Sequence, residues 1–404
     1  MDIELNTKEK NIRGHIKLNS SKSESNRVLV INALSGNLCK ITNLSNARDT
    51  ETMQRLLSSQ HADIWDVLDA GTTMRFLTAL SAVSDRARTL TGTARMQQRP
   101  IKVLGDALQS LGAGVEYLKA EGYPPLRVTP ISRQASTTIT VPGDISSQYI
   151  SALLMIAPGL PEGLTVIIEG TIYSRPYIEM TLSLMQHFGI TYSWEGQVIR
   201  IANQPYQANE YMVESDWSGA SYWYSIAALA EECDLYLEGL RKESNQGDAA
   251  IATIMENFGV RSEFDDKGVK LSKTDSLKQS LEIDFKNCPD LAQTVIACAA
   301  VKGIDLQMTG LESLKIKETD RIHALQQETA KFGGQLTESG DSWQFKSNPQ
   351  LTTRRIVIET YEDHRMAMAF APLSLTQKLL IKERDVVNKS YPDFWRDLEK
   401  VGIR

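Results

Sequence analysis

A chain of 404 residues is too long for one ordinary hydrophobic core and has room for two. With 42% hydrophobic and 23% charged residues it has the composition of a soluble globular protein, which excludes the fibrous and disordered classes. A net charge of −6 excludes a chain-wide basic field for nucleic acid, so an anionic ligand has to be met by a local concentration of Lys and Arg.

The opening, MDIELNTKEK, is acidic and polar where a secretory signal is basic and then apolar. Cys39, Cys233, Cys288 and Cys298 have no C-x-x-C spacing, which argues against a zinc ribbon or disulfide framework and suits a reducing compartment. The longest apolar run, residues 150–168, is broken by Pro158, Pro161 and Glu162, so no membrane span is expected. These features predict a cytoplasmic protein.

Along the chain one unit recurs six times. A small or polar start leads into an apolar helix rich in Ala, Ser and Leu, beginning at Ser23, Thr72, Ser147, Ser218, Asp290 and Asp363. Successive differences are 49, 75, 71, 72 and 73 residues, so the first spacing is short and a stretch around residues 55–68 is trimmed. A second, amphipathic helix follows, as in PIKVLGDALQSLGA from Pro100, PYIEMTLSLMQHFG from Pro176, GDAAIATIMENFG from Gly247 and ETDRIHALQQETAKFGG from Glu318. Their closing glycines suit a left-handed C-cap. Between them LTVIIEG, QVIRIAN, DLYLEGL, VKLSK and RRIVIET read as strands. A βα-type repeat of about 70 residues is small for an independent fold.

The first helix of each repeat has few charges beyond its opening turn, which predicts burial. Free N–H groups and partial positive charge at the helix starts would make an anion trap if those starts converged. Repetition alone is equally compatible with plain packing modules. Lys22, Ser23 and Arg27 stand at the first start, and Lys317, Glu318 and Arg321 in the fifth region. Arg365 stands at the sixth start, and Arg75, Arg99 and Lys389 occupy comparable junctions.

The ordered series KSESNR, DAGTTMR, QQRPI, SSQY, SRPYI, PDLA, KETDR, DHRMAM and NKSYPDF resembles the 5-enolpyruvylshikimate-3-phosphate synthase family of enolpyruvyl transferases, from about residue 22 to 394. The resemblance implies an α/β fold of two similar domains, each of three βα-type repeats with buried helices (an inside-out α/β barrel), joined by two crossover segments. One domain is expected over residues 21–214 and the other over residues 1–20 and 215–404. The expected reaction transfers the enolpyruvyl group of phosphoenolpyruvate to the 5-hydroxyl of shikimate 3-phosphate.

In that family reading Lys22, Arg99 and Gln148 hold the phosphate of phosphoenolpyruvate, and Lys22 also counts among the catalytic groups. Arg321, Arg365 and Lys389 hold its carboxylate, with Gly71 packed close. Ser23, Arg27, Ser146, Ser147, Gln148, Ser174, Tyr177, Ser313 and Lys317 position shikimate 3-phosphate. Asp290 accepts the hydroxyl proton and Glu318 protonates the methylene carbon. Arg suits a planar carboxylate because its fork gives two hydrogen bonds, and two carboxyls in unlike environments suit acid and base roles. The family implies no cofactor, no metal, no nucleic-acid or membrane partner, a monomer, and inhibition by glyphosate, for which Gly71 leaves room.

Three positions depart from the family pattern. Asp69 replaces an Asn and is expected to weaken phosphoenolpyruvate binding by adding negative charge. Phe76 stands where Pro is frequent, and Ser313 where Asn is expected before KETDR. The rival readings are a UDP-N-acetylglucosamine enolpyruvyl transferase and a non-catalytic anion binder. The first is disfavoured because no Cys lies between Cys39 and Cys233, and the second because both carboxyls are kept.

Overall fold

The computed structural model describes residues 1–59, 61–350 and 352–404; Gln60, in the trimmed stretch, lies outside the described residues. The chain forms two compact units, residues 22–213 and residues 1–21 with 214–404. Each has its own apolar core.

Six helices begin within two residues of the six repeat starts. They are α1 (Lys22–Leu34), α3 (Gly71–Ala82), α5 (Ser147–Ile156), α7 (Trp217–Leu229), α9 (Ala292–Lys302) and α11 (His364–Phe370). Between them come α2 (Arg48–Ser58), α4 (Lys102–Ser110), α6 (Arg175–His187), α8 (Ile251–Glu256), α10 (Arg321–Ala330) and α12 (Phe394–Lys400). The first set is buried on nearly every side: in α9 every residue from Ala292 to Ala300 is buried, and α11 is buried throughout. A helix apolar all round belongs in a core, whereas α4 and α6 bury only one face. Each large aliphatic side chain buried this way contributes roughly 1.5–3 kcal/mol.

Two second helices are shorter than their sequences suggest. The Gly247 segment opens as a 3₁₀ turn (Gly247–Ala250), α8 stops at Glu256, and Gly259 sits at φ +83° in the following strand rather than at a helix cap. α10 starts at Arg321, where the Asp320 carboxylate caps the His323 N–H at 3.0 Å. Lys317 and Glu318 therefore precede the helix.

Four of the six sheets have four strands in one pattern. Two parallel strands flank a buried helix, and an antiparallel hairpin completes the sheet. In the α5 repeat Thr138–Pro142 runs parallel to Leu164–Glu169, which pairs antiparallel with Val198–Ile201. The chain crossings change which segment supplies the first strand. The α7 repeat takes Asn11–Lys17, parallel to Glu232–Glu238. The α1 repeat takes Glu210–Met212, parallel to Lys40–Thr42. No helix of the described residues is long and apolar enough to cross a membrane.

Candidate active site

Within residues 22–213 the helix starts meet. Lys22 Nζ lies 3.2 Å from Asp49 Oδ2 in the first turn of α2. Thr73 Oγ1 of α3 donates to the Asp49 carbonyl at 3.3 Å, and Gln148 Nε2 of α5 donates to Thr72 Oγ1 at 3.2 Å. Ser146 caps α5 by accepting from the Gln148 N–H at 3.3 Å, with Ser147 buried beside it. α3 has Ala70 at its cap position, which offers no side-chain oxygen to cap the helix.

Gly71 opens α3. A Cβ added there would lie 2.6 Å from Arg99 Nη1, so the guanidinium rests directly on the glycine. The close approach that glycine permits at this point is thus filled by Arg99. An alanine would first move that side chain, which corrects the simpler expectation that Gly71 only leaves space for a ligand.

Arg27 is almost wholly buried. It donates to Thr181 Oγ1 (2.7 Å), the Ser23 carbonyl (2.9 Å), Ser151 Oγ (3.3 Å) and the Tyr177 carbonyl (3.2 Å). All four acceptors are neutral. Its guanidinium carbon lies 5.3 Å from the Phe76 ring centroid and 5.8 Å from that of Tyr177. Phe76 therefore has a physical use: its ring gives a buried cation a favourable face. Burial lowers the Arg27 pKa to about 10, far above neutrality, so the charge persists. Ser174 precedes α6 in the left-handed region at φ 56°, a placement that strains a non-glycine residue. Arg75 does structural work, clamping the Gly71 carbonyl (3.0 Å) and the Pro100 carbonyl (3.2 Å).

In the other unit one buried guanidinium organises the site. Arg321 Nε donates to Asp363 Oδ2 (2.7 Å), Nη1 to Asp290 Oδ1 (3.0 Å) and Nη2 to Glu318 Oε2 (2.8 Å). Arg365 Nη2 reaches the second oxygen of Asp290 at 2.8 Å and Ser218 Oγ at 3.4 Å, and Lys317 Nζ lies 3.9 Å from Asp290. Asp363 caps α11 through the Arg365 N–H at 2.8 Å. The starts of α7, α9, α10 and α11 thus converge here, as those of α1, α3 and α5 do in the other unit. Lys389 is buried at the end of Arg384–Lys389, and Ser313 is half-buried in the turn Glu312–Ile316.

Burial alone would push the Asp290 carboxyl up. Arg365, Lys317 and Arg321 together outweigh it and hold the group well below the usual carboxylate range. Burial lowers Lys317, opposed by the attraction of Asp290. Among the described residues no cluster of His, Cys, Asp and Glu has the make-up of a metal site.

A family model described as EPSP synthase (3-phosphoshikimate 1-carboxyvinyltransferase) matches residues 6–67 and 54–398. The chain belongs to the EPSP synthase family. A 3-phosphoshikimate 1-carboxyvinyltransferase of Bacteroides fragilis is 48% identical over 397 residues, covering 97% of this chain and 96% of its own. One from Sulfurovum is 34% identical over 421 residues, covering 97% of both. A solved EPSP synthase from Acinetobacter baumannii matches with a TM-score of 0.80 at 20% identity, covering 99% of this chain and 98% of that one. At that identity the likeness speaks for the fold.

In this EPSP synthase family member sequence reasoning missed Asp49, Ser218 and Asp248 as partners of the site. The available signal was slight: an acid in the first turn of a second helix, which reads as an ordinary cap. Asp248 is buried, is hydrogen-bonded to the Ser218 hydroxyl through Oδ2, and has no partner for Oδ1. Burial and then the nearby Asp290 charge push it up to about 7, against Arg365 and Ser218.

A stability consequence follows. The folded pKa is raised above the unfolded value near 4, so the Asp248 contribution is fully present below that value and is lost as pH rises through about 7. Asp290, shifted the other way, contributes stability that is present above the ordinary carboxylate range and is lost only as pH falls below it, so its contribution does not change between pH 5 and pH 8. Thermal melts at pH 5 and pH 8 should show the wild type less stable at pH 8, with Asp248→Asn reducing the difference. An unchanged difference in the variant would count against this.

Proposed function

We propose that this chain transfers the enolpyruvyl group of phosphoenolpyruvate to the 5-hydroxyl of shikimate 3-phosphate, releasing phosphate through a tetrahedral intermediate. The observation that carries the proposal is the pair of carboxyls, Asp290 and Glu318, held on two arms of one buried guanidinium, Arg321. Pairing with Arg321 also stabilises the fold, and two carboxyls beside one cation in unlike surroundings supply what an acid and a base require.

Asp290, at the mouth of α9, takes the proton of the attacking hydroxyl. Glu318 gives a proton to the methylene carbon while the hydroxyl oxygen bonds to the adjacent carbon, forming a phospho-ketal. The C–O bond to phosphate then breaks, Glu318 removes a proton from the new methyl group to restore the double bond, and the proton accepted by Asp290 leaves with the released hydrogen phosphate. Lys22, Arg99 and Gln148 hold the phosphate of phosphoenolpyruvate. Arg365, Lys389 and Arg321 hold its carboxylate, Arg321 exchanging a protein carboxylate for the ligand's. Arg27 supports shikimate 3-phosphate together with Ser23, Ser146, Ser147, Ser174, Tyr177, Ser313 and Lys317. Its guanidinium hydrogen-bonds to neutral acceptors, and the buried Glu24 carboxylate in the same helix supplies the nearby negative charge.

In this reading the protein works in the cytoplasm as a monomer on two small anions, needs no cofactor, and is a glyphosate target. Phosphate release measured with both substrates tests it. Release with shikimate 3-phosphate, suppressed by glyphosate in competition with phosphoenolpyruvate, is expected. Release only with UDP-N-acetylglucosamine as acceptor, or none with either, overturns it.

A further inference from the structure

At the starts of α2 and α3 the charges alternate. Asp49 holds Lys22 at 3.2 Å, and its neighbour Arg48 donates from Nη2 to Asp69 Oδ2 at 2.8 Å. Asp69 stands two residues before Gly71, the glycine on which Arg99 rests, and two residues of chain span at most about 7 Å. The Asp69 charge therefore lies well within a Debye length of the α3 start, where an uncompensated carboxylate would repel a ligand phosphate. Arg48 is the first residue of α2.

We propose that Arg48 is a charge-balancing residue for the phosphate end of the site: it neutralises Asp69 and so preserves affinity for phosphoenolpyruvate. The inference rests on the enolpyruvyl-transfer reading and deepens it. It also revises the expectation that Asp69 weakens binding, because the carboxylate is ion-paired. Without Arg48 the Asp69 carboxylate loses the 2.8 Å ion pair that offsets its charge beside the cations of this helix start, Lys22, Arg75 and Arg99.

A surface pair of this kind contributes little to stability, since Arg48 is 45% and Asp69 33% exposed. Its effect is expected in ligand affinity. One uncompensated charge within a Debye length of a bound anion weakens its binding by roughly three- to ten-fold at low salt, and less as salt rises. Arg48 acts through Asp69, so the loss should be reversible by removing that carboxylate.

The test compares wild type, Arg48→Ala, Asp69→Asn and the double variant, by steady-state kinetics and by calorimetric binding of phosphoenolpyruvate in the presence of shikimate 3-phosphate. Arg48→Ala is expected to raise KM and Kd for phosphoenolpyruvate by about five-fold at low ionic strength, with a much smaller change in kcat. The double variant should recover most of that loss, and added salt should shrink it. An unchanged KM and Kd in Arg48→Ala, or a double variant no better than the single one, overturns the proposal. A wild type that binds phosphoenolpyruvate but releases no phosphate would instead defeat the functional reading, while the binding comparison would still decide the role of Arg48.

Discussion

Glu318→Gln and Asp290→Ala are each expected to lower turnover by on the order of 10²-fold or more, while shikimate 3-phosphate binding falls far less. In Glu318→Gln the side-chain amide keeps an oxygen that can accept from Arg321 Nη2, which lies 2.8 Å from the native carboxylate. The local geometry is thereby conserved and only the transferable proton is lost. Asp290→Ala is a harsher change. It removes the acceptor of Arg321 Nη1 at 3.0 Å and Arg365 Nη2 at 2.8 Å, leaving two cations closer to unpaired. Those cations should grip anionic substrates at least as well, so a loss confined to kcat would mark chemistry rather than binding. Single-turnover rates alongside calorimetric Kd values separate the two. Near-normal turnover in either variant overturns its assigned role.

Arg321→Met should be the most destabilising single change at this site. The guanidinium is about 1% exposed and answers three carboxylates, Asp290, Glu318 and Asp363. Its own burial disfavours the charge, yet Asp363, Glu318 and Asp290 together hold the guanidinium above its ordinary range. Removing one partner of a buried ion pair typically costs about 3–5 kcal/mol, because the other charges stay buried. In a unit of about 200 residues that corresponds to a melting point lower by on the order of 10 °C. The sign of the pH dependence follows from the same charges. Without Arg321 the carboxyls repel one another and Asp290 loses one of the cations that hold its pKa down, so the variant regains stability at low pH and loses it as pH rises. Melts between pH 4 and pH 8 check both parts: a variant as stable as wild type at pH 8 would show that the triad is not tightly coupled to the cation.

Much of this is legible in the sequence. The buried helices announce themselves by composition, since a stretch such as SQYISALLMIAPGL has no polar stripe and can only be interior. Their starts are marked by small or acidic residues that release N–H groups or cap them, which is why all six begin within two residues of the expected positions. The KETDR and DHRMAM strings likewise pointed to Glu318, Arg321 and Arg365, which the fold gathers around Asp290.

Pairings between distant segments were not legible. The Glu210–Met212 strand joins Lys40–Thr42, and Asn11–Lys17 joins Glu232–Glu238, across separations no local periodicity can encode. Phe76 and Asp69 read in sequence as departures from a pattern; in the fold one faces the Arg27 cation and the other is held by Arg48.

The sequence by itself determined which segments are helices and strands, that they repeat, and which residue types stand at the helix starts, because propensity, capping and burial pattern are local properties. Tertiary structure decided the electrostatics: that Arg321 serves three carboxylates, that burial and the Asp290 charge push Asp248 up while the cations hold Asp290 down, and that Arg99 rests on Gly71. A pKa or an ion pair depends on distances of a few ångströms between residues tens to hundreds of positions apart, and only the folded chain sets those distances.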